Sequence, residues 1–514
     1  MLERFIQYQP ISDIVHWRAD QRAHRMNTAV SVFNRGTTIK PLNRSHAFRS
    51  LCALSLVSMA LAGCSTAPLP VLKPSTPEQW RNVQPSLAPP PPDLNQWWHA
   101  FNDPQLNTLV DRALQNNLNV AVAVERLRAI RIMSQHAQSP YLPSLSIKTK
   151  DAVSPDTSTS YFLIGFDSVW ELPLFGMQQS AERLAQGNQA LADNNLRTLQ
   201  VSLVAEVSRR WIELRAAQQT EQTLATLREV GHGKLARLRA REQLALASCA
   251  DVAAAQAELA LAEMALTRVH QRTNRSAQQL ALLLGQSAPD PLWLQPGRLP
   301  TLGDWQLNSV PTDLLRTRPE IAGAEASVII AAGELGMSQA DIYPHISFGT
   351  SLQWSLNIAS NRNNTPNGNS IFSAGPGISI PLFDWGLRVA AAKAKDHHLQ
   401  AAVLGYRQAV LEGVAEVENA LGDLEQLRAR EQLSRQAYAA RQTQLGALQQ
   451  RAALKLLSPL DLVEAQVQTL HAQQQVDRAG TERAIAYVAL YKALGGAPLP
   501  SAAPQTATRH KETD

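Results

Sequence analysis

Nothing limits the fold of this 514-residue chain more than its being written twice. Repeats come first, because a missed repeat misassigns every element after it. Pro173-Leu174-Phe175 recurs as Pro381-Leu382-Phe383, and Ala205-Glu206-Val207 as Ala415-Glu416-Val417. Asp251 and Gln256 match Asp461 and Gln466, and Leu284-Gly285 matches Leu494-Gly495. Pro143 and Pro344 each precede a strand-like stretch. One match means nothing in an Ala- and Leu-rich chain. Five in one order, with the offset drifting only from 201 to 210, define two copies. The expected copies are residues 93–285 and 313–497, joined by a Pro-rich linker at 286–312.

Each copy reads helix, two strands, long helix, helix. No proline occurs from Leu174 to Ala288 or from Leu382 to Ser458. A helix from Met177 to Gln243 would run about 100 Å at 1.5 Å per residue, and Trp385 to Lys455 is similar. Ordinary helices have about three turns, so stretches this long are expected to pack lengthwise as coiled-coil hairpins. Gly231-His232-Gly233 is an expected interruption of the first.

The strands are clearest in copy two. Ile346, Phe348, Leu352, Trp354, Leu356 and Ile358 alternate with Ser347, Gly349, Ser351, Gln353, Ser355 and Asn357, a period of two. A second strand runs from Ile371 to Ile380, after an Asn-rich loop. Copy one offers 144–151 and 160–171, with Phe162, Ile164 and Phe166 on one face. Strands of about 9–11 residues with one apolar face suit an outer-membrane barrel better than a soluble hairpin. Four strands cannot close a barrel, and lipid tolerates no open edge. The strands must then be pooled between chains, eight from a dimer or twelve from a trimer.

The N-terminal 63 residues read as a leader. Arg44 and Arg49 precede a short apolar run, Leu51 to Leu61, which ends in Leu61-Ala62-Gly63-Cys64. That is a secretory signal, with Met26 as the expected start, and it is too short and wrongly flanked for a membrane span. Leu-Ala-Gly-Cys resembles the bacterial lipobox, which implies cleavage before Cys64 and acylation of its thiol. Ser65 in place of Asp implies sorting to the outer membrane. Residues 64–92, ending in Pro89-Pro90-Pro91-Pro92, read as an extended tether giving that anchor its reach, and 498–514 as a C-terminal tail.

Charge excludes one class of partner. The leader holds eight Lys/Arg against three acids, and accounts for all of the chain's net charge of +5. A neutral body argues against nucleic acid. Three cysteines rule out a disulfide framework. There is no Gly-rich phosphate loop, no His-Glu-x-x-His and no Cys-x-x-Cys. His397 and His398 are adjacent, so on a helix they point apart, and the four mature methionines are scattered. Neither catalysis, a resident metal nor a cofactor is expected.

The turns between the long helices read Ser248-Cys249-Ala250-Asp251 and Ser458-Pro459-Leu460-Asp461. Both fit Ser-x-x-acid, the capping signature that alone would account for both acids. Asp461 and Glu464, at i and i+3, share a helix face.

These features together resemble the TolC-like outer-membrane factors, in the lipoprotein branch that serves RND-type efflux pumps. The residues carrying the resemblance are Cys64, Trp97-Trp98, Phe101, Asp103-Pro104, Leu106 and Asn116-Asn117, then Tyr343-Pro344, Pro381-Leu382-Phe383-Asp384 and Gly386. It covers roughly residues 90–497. It implies an α+β membrane protein: a homotrimer with a twelve-stranded outer-membrane barrel above a twelve-helix periplasmic tunnel. It implies a passive conduit docked to a periplasmic adaptor and an inner-membrane RND-type transporter. It also implies that Asp461 and Glu464 ring the periplasmic aperture, six carboxylates in all. The family commonly has a Gly several residues before each of these turns, in the region that adaptors touch. Here Ala245 and Lys455 stand there, so adaptor docking is expected to differ in detail, and Cys249 is expected to be a free thiol. A type I protein-secretion conduit is the nearest alternative, and a lipid-anchored coiled-coil scaffold a more distant one.

Overall fold

The structure is a computed structural model describing residues 69–73, 77, 79–82, 93–152, 161–303, 317–357 and 370–497. By contact the chain divides into Met1–Leu61, wholly outside the described residues, and Ala62–Asp514, to which every element below belongs. Cys64, Met26 and the tail 498–514 also lie outside the described residues.

The elements follow the repeat. Copy one contains α1 (Pro104–Asn116), α2 (Leu118–Gln135), β1 (Ser144–Ala152), β2 (Tyr161–Glu171), α3 (Met177–Gln243) and α4 (Cys249–Leu283). Copy two contains α5 (Pro319–Ala340), β3 (His345–Asn357), β4 (Ile371–Ser379), α6 (Leu387–Ala453) and α7 (Pro459–Ala493). Helices α3 and α6 are each 67 residues long, and α4 and α7 each 35.

One sequence expectation is corrected: α3 runs unbroken through Gly231-His232-Gly233. A Cβ on Gly231 would stand 3.3 Å from the Leu259 side chain on α4, so the helix passes close to its neighbour there. A mid-helix glycine costs about 1 kcal/mol, too little to break a helix supported along both flanks. The first helix of copy one, by contrast, is two helices. Asn117 ends α1 and caps α2, its side chain accepting from the N–H groups of Asn119 and Val120.

The lengths explain the architecture. Helix α3 lies against α2 and α5 towards the strands and against α4 and α7 towards the hairpin turns. Small residues bring α3 and α5 together, since a Cβ on Gly333 would stand 2.8 Å from the Leu184 nitrogen. Helix α5 is long and apolar enough to cross a membrane by composition. Here it is a packing helix, with Ile321, Val328, Ala332 and Leu335 buried.

Between these levels lies the main core. Trp97 is fully buried, stacked on Tyr491 and edge-on to Trp98. Its indole N–H donates to the Gly496 carbonyl at 3.1 Å, and the Tyr487 hydroxyl donates to the Trp97 carbonyl at 2.9 Å. The first residues of copy one are thereby tied to the end of copy two. The two Leu-Gly repeats have one purpose. Gly285 and Gly495 both have positive φ, and a Cβ on either would stand under 3 Å from a backbone oxygen, of Asn116 and Thr317 respectively. Each helix end therefore turns where only glycine fits without strain.

The tether reading also changes. Within the described residues of 64–92, Trp80 is buried and packs on Val417, Leu421, Leu490 and Leu494. Part of that segment is docked on the helices. In the inter-repeat linker, Trp293 is likewise buried.

Asp477 on α7 is buried beside this core. One carboxylate oxygen accepts from Gln219 and Gln473 at 2.8 Å each, and the other meets no donor. Burial pushes its pKa above the ordinary carboxylate value. The folded state then holds the proton more tightly than the unfolded chain. Stability gains from this group as pH falls through the raised pKa, and stops gaining below the unfolded value of about 3.9. Asp477→Asn is predicted to lose that gain. Thermal midpoints at pH 7 and pH 4 that shift identically in variant and wild type would contradict this.

Candidate functional site

Two regions carry features that core packing alone does not explain. The first is the sheet, in the order β1-β2-β3-β4, antiparallel throughout. Direct cross-strand partners share a face. Ile147, Phe166, Leu352 and Phe372 form one row across all four strands, and Ile164 opposes Trp354. Phe166 and Trp354 meet edge to face at 6.0 Å. This apolar face points to solvent in the single chain, with Ile147 at 64% and Phe372 at 70% exposure. The other face is polar, carrying Lys148, Asp167, Ser351 and Gln353, with Lys148 3.6 Å from Asp167. Where strands meet helices, Phe175 stacks on Tyr343, and Phe383 packs on Trp385 with both largely exposed. Among the described residues β1 and β4 have no outer partner.

The second region is the opposite end, where α3 turns into α4 and α6 into α7. Both turns use one backbone solution. The N–H of Leu246 reaches the Arg241 carbonyl and that of Leu456 the Arg451 carbonyl, across Ala245 and Lys455. Those two residues have φ of 54° and 58°. This helix ending normally takes Gly at the left-handed position. The absent glycines noted in the sequence are thus sites of backbone strain.

The two capping signatures differ. Ser248 and Asp251 make the full reciprocal box: the Ser248 N–H donates to Asp251 at 2.9 Å, and the Asp251 N–H to the Ser248 hydroxyl. Those bonds hold the Asp251 carboxyl below its ordinary pKa. Ser458 caps through the N–H of Leu460, and the Asp461 side chain takes no part. Capping therefore accounts for Asp251 and leaves Asp461, which is exposed, without that explanation.

Glu464, one turn on, faces the other hairpin. Its carboxylate lies 3.7 Å from the Lys234 ammonium on α3, which is 2.6 Å from Glu258 on α4, and it accepts from Gln468. Leu460 packs onto the apolar cluster of Leu235, Leu238, Ala255 and Leu259. A groove of about 440 Å³ runs between the hairpins, lined by Leu227, Lys234, Glu258, Glu464 and His471 among others. The sequence reading missed Lys234. It is far from Glu464 in the chain, and nothing in its local pattern marks it. Cys249 is exposed and unpaired.

Comparison with known proteins identifies this geometry. The family described as outer membrane efflux protein matches residues 109–286 and 310–496, one segment for each half of the chain. The chain belongs to this family. The pyoverdine export outer membrane protein OpmQ of Pseudomonas aeruginosa is 25% identical over 87% of this chain and 97% of its own. The outer membrane protein OprJ of the same species is 27% identical, over 86% of this chain and 94% of its own. Among solved structures, the outer-membrane channel OprN superposes with a TM-score of 0.73 at 26% identity, over 84% of this chain and 99% of its own. The open-state MtrE outer membrane channel of Neisseria gonorrhoeae gives 0.73 at 22%, over 85% of this chain and 98% of its own, a likeness of fold.

Relieving the turn strain tests its location. A non-Gly residue in the left-handed region costs about 1–2 kcal/mol, partly offset by the chain entropy glycine adds. Ala245→Gly and Lys455→Gly are each predicted to stabilise their hairpin end by about 0.5–1 kcal/mol. Hydrogen exchange at the Leu246 and Leu456 amides should slow accordingly. Faster exchange in the glycine variants would place the strain elsewhere.

Proposed function

We propose that this protein is the outer-membrane channel of a tripartite efflux pump, a passive conduit that carries small molecules from the periplasm across the outer membrane. The observation that carries the reading is the four-stranded sheet with an outward apolar face, a polar reverse face and two edges that no described strand pairs. In lipid those edges need strand partners, and three chains supply twelve strands, the smallest pooling consistent with the family resemblance. The exposed aromatic collar suits a membrane–water interface. Helices α3, α4, α6 and α7 of three chains would then form a twelve-helix tunnel below it. The paired lengths of 67 and 35 residues support a tandem duplication as the origin of both halves.

The remaining assignments belong to the same proposal. Cys64 is the mature, acylated N-terminus, anchored in outer-membrane lipid. The partners are a periplasmic adaptor at the hairpin turns and an inner-membrane RND-type transporter. Cargo does not carry over from the relatives. OpmQ is named for pyoverdine and SrpC of Pseudomonas putida for solvents, at 25% and 26% identity respectively, so resemblance of this degree does not fix the substrate. The same names favour efflux over protein secretion. Reconstitution in planar bilayers tests the function: stepwise ion conductance from a trimer-sized particle is expected. A monodisperse monomer without conductance would refute it.

Asp461 and Glu464 are proposed as the aperture ring, with unequal shares. Glu464 is paired with Lys234, whereas Asp461 is exposed and takes no part in the cap. Exposed pairs contribute at most about 1 kcal/mol, so neither substitution should unfold the tip. Asp461→Asn is predicted to lower cation selectivity, and Lys234→Gln to raise it by freeing Glu464. Reversal potentials unchanged in both variants would exclude a ring built from these residues.

A further inference from the structure

We infer that the seam between copies of this chain repeats the seam between its two halves: an exposed stripe of α2 packs on an exposed stripe of α6 in the next copy, in the register that α5 holds against α3. This rests on the assembled channel proposed above.

One half makes a contact that the other lacks. Helix α5 lies between α3 and α6 and packs on both. Its repeat counterpart α2 packs on α3, with no comparable contact to α6 among the described residues. The counterpart of the α3–α5 seam is α6 against α2, and a single chain leaves it open. The sheet has the same gap. Strand β2 pairs with β3, whereas their counterparts β4 and β1 are the edges.

The repeat fixes the register. Gly176 and Gly386 stand just before α3 and α6, 210 residues apart, and both helices are 67 residues long. Leu142-Pro143 and Tyr343-Pro344 follow α2 and α5, 201 residues apart. Contacts inside each half agree with these offsets. The Ser134 hydroxyl on α2 donates to the Ala185 carbonyl on α3, and Glu334 on α5 pairs with Lys395 on α6 at 2.8 Å. Lys395 is the counterpart of Ala185, and Glu334 adjoins Leu335, the counterpart of Ser134.

At this register the small partner changes sides. Within the chain, Gly333 of α5 meets Leu184 of α3, where a Cβ would stand 2.8 Å from the Leu184 nitrogen. Their counterparts are Ile132 of α2 and Ala394 of α6. Gly187 of α3 meets Ile330 of α5, where a Cβ would stand 2.7 Å from the Ile330 side chain. Their counterparts are His397 of α6 and Ala129 of α2. Each small-against-large pair is replaced by a large-against-small one, which keeps the seam filled without a clash. Glu125, the counterpart of Ala326, comes opposite His397, because a Cβ on Gly187 would also stand 3.2 Å from the Ala326 carbonyl. Gly323 faces Leu191 and Asn194, whose counterparts are Val122 against Ala401 and Leu404.

Val122, Glu125, Ala129 and Ile132 recur three and four residues apart, and so do Ala394, His397, Ala401 and Leu404. Each set is one stripe of its helix. All eight residues are exposed in the single chain, Ile132 at 59% and Leu404 at 60%, whereas their counterparts on α5 and α3 are buried or half-buried. The occupant that fits is a second copy, since the same chain carries both stripes. Such a head-to-tail contact, repeated, closes a ring.

Disulfide trapping reads the register. In the full-length membrane-extracted protein with Cys249→Ser, two matched pairs are tested: Ala129→Cys with His397→Cys, and Ile132→Cys with Ala394→Cys. Each should oxidise to linked dimers and trimers on a non-reducing denaturing gel, since a disulfide needs Cα atoms within about 7 Å. Each single cysteine should stay monomeric, because like positions do not meet in a head-to-tail contact. Val122→Cys with Ala390→Cys, out of register by about 16 Å, should stay monomeric too. Size exchange is the second readout. Ala394→Leu alone should lower the trimer fraction that survives mild detergent, and adding Ile132→Ala should restore it. A particle of trimer mass in which neither matched pair links, or in which the mismatched pair links instead, would overturn the seam and leave the channel reading standing. Linked trimers without bilayer conductance would reject the channel and leave the seam standing. A monomer mass would overturn both.

Discussion

The constraint on which the rest depends is the backbone hydrogen bond in a medium without water. A sheet in lipid has no solvent to satisfy its edges, so each N–H and C=O must meet a protein partner. Among the described residues this chain provides four strands, with one apolar and one polar face. Neither edge strand is shielded by a described element. The two halves thus supply matched pieces of a surface that one chain cannot finish, and that incompleteness is the physical argument for assembly.

The helical part answers a related problem by other means. A helix satisfies its own backbone, but one of about 100 Å must bury a stripe along its whole length. Helix α3 does so piecewise, whereas α6 has its buried residues between Ala392 and Glu431. Shorter helices flank them on the strand side, and 35-residue helices flank them on the turn side. The handover is the waist, where Trp97, Tyr487 and Tyr491 seal the join and Gly285 and Gly495 turn the chain where a side chain would collide. Polar anchors reinforce it. The Arg215 guanidinium lies 4.1 Å over Trp211 while bonded to Gln105, Gln218 and the Gln295 carbonyl, and the Trp211 indole N–H donates to Asp103.

What the sequence disclosed followed from period and punctuation. The absence of proline allowed an uninterrupted α3, whose expected span of Met177 to Gln243 is the one observed, and the strand patterns located all four strands to within a residue or two. Ile358, the expected last residue of β3, lies outside the described residues. What it hid was long-range or ambiguous. Gly231 reads as a breaker until Leu259 is seen against it. The first helix of copy one reads as one piece until the Asn117 Oδ1 is found capping α2 while its side-chain amide donates to the Leu283 carbonyl. Lys234 carries no local mark. Trp80 sits in a proline-rich stretch whose composition says tether while its one large side chain says dock.

The paired turns show most clearly why a repeat should not be read as two identical parts. Both keep a left-handed residue where glycine would relax the backbone, and both keep Ser-x-x-Asp. In the first, Cys249 occupies the opening position of the helix and the chain closes a full capping box, which commits Asp251. In the second, Pro459 occupies that position. Ser458 caps one residue earlier, and Asp461 is released. Proline suits the first turn because it has no N–H to satisfy there. Both helices are thus capped by their serine, and they differ in whether the acid takes part. Glu464 follows on the same face, held at arm's length by Lys234 from the other hairpin. Two turns that share the Ser-x-x-Asp pattern thus yield one whose acid is committed to its own helix and one whose acid is exposed.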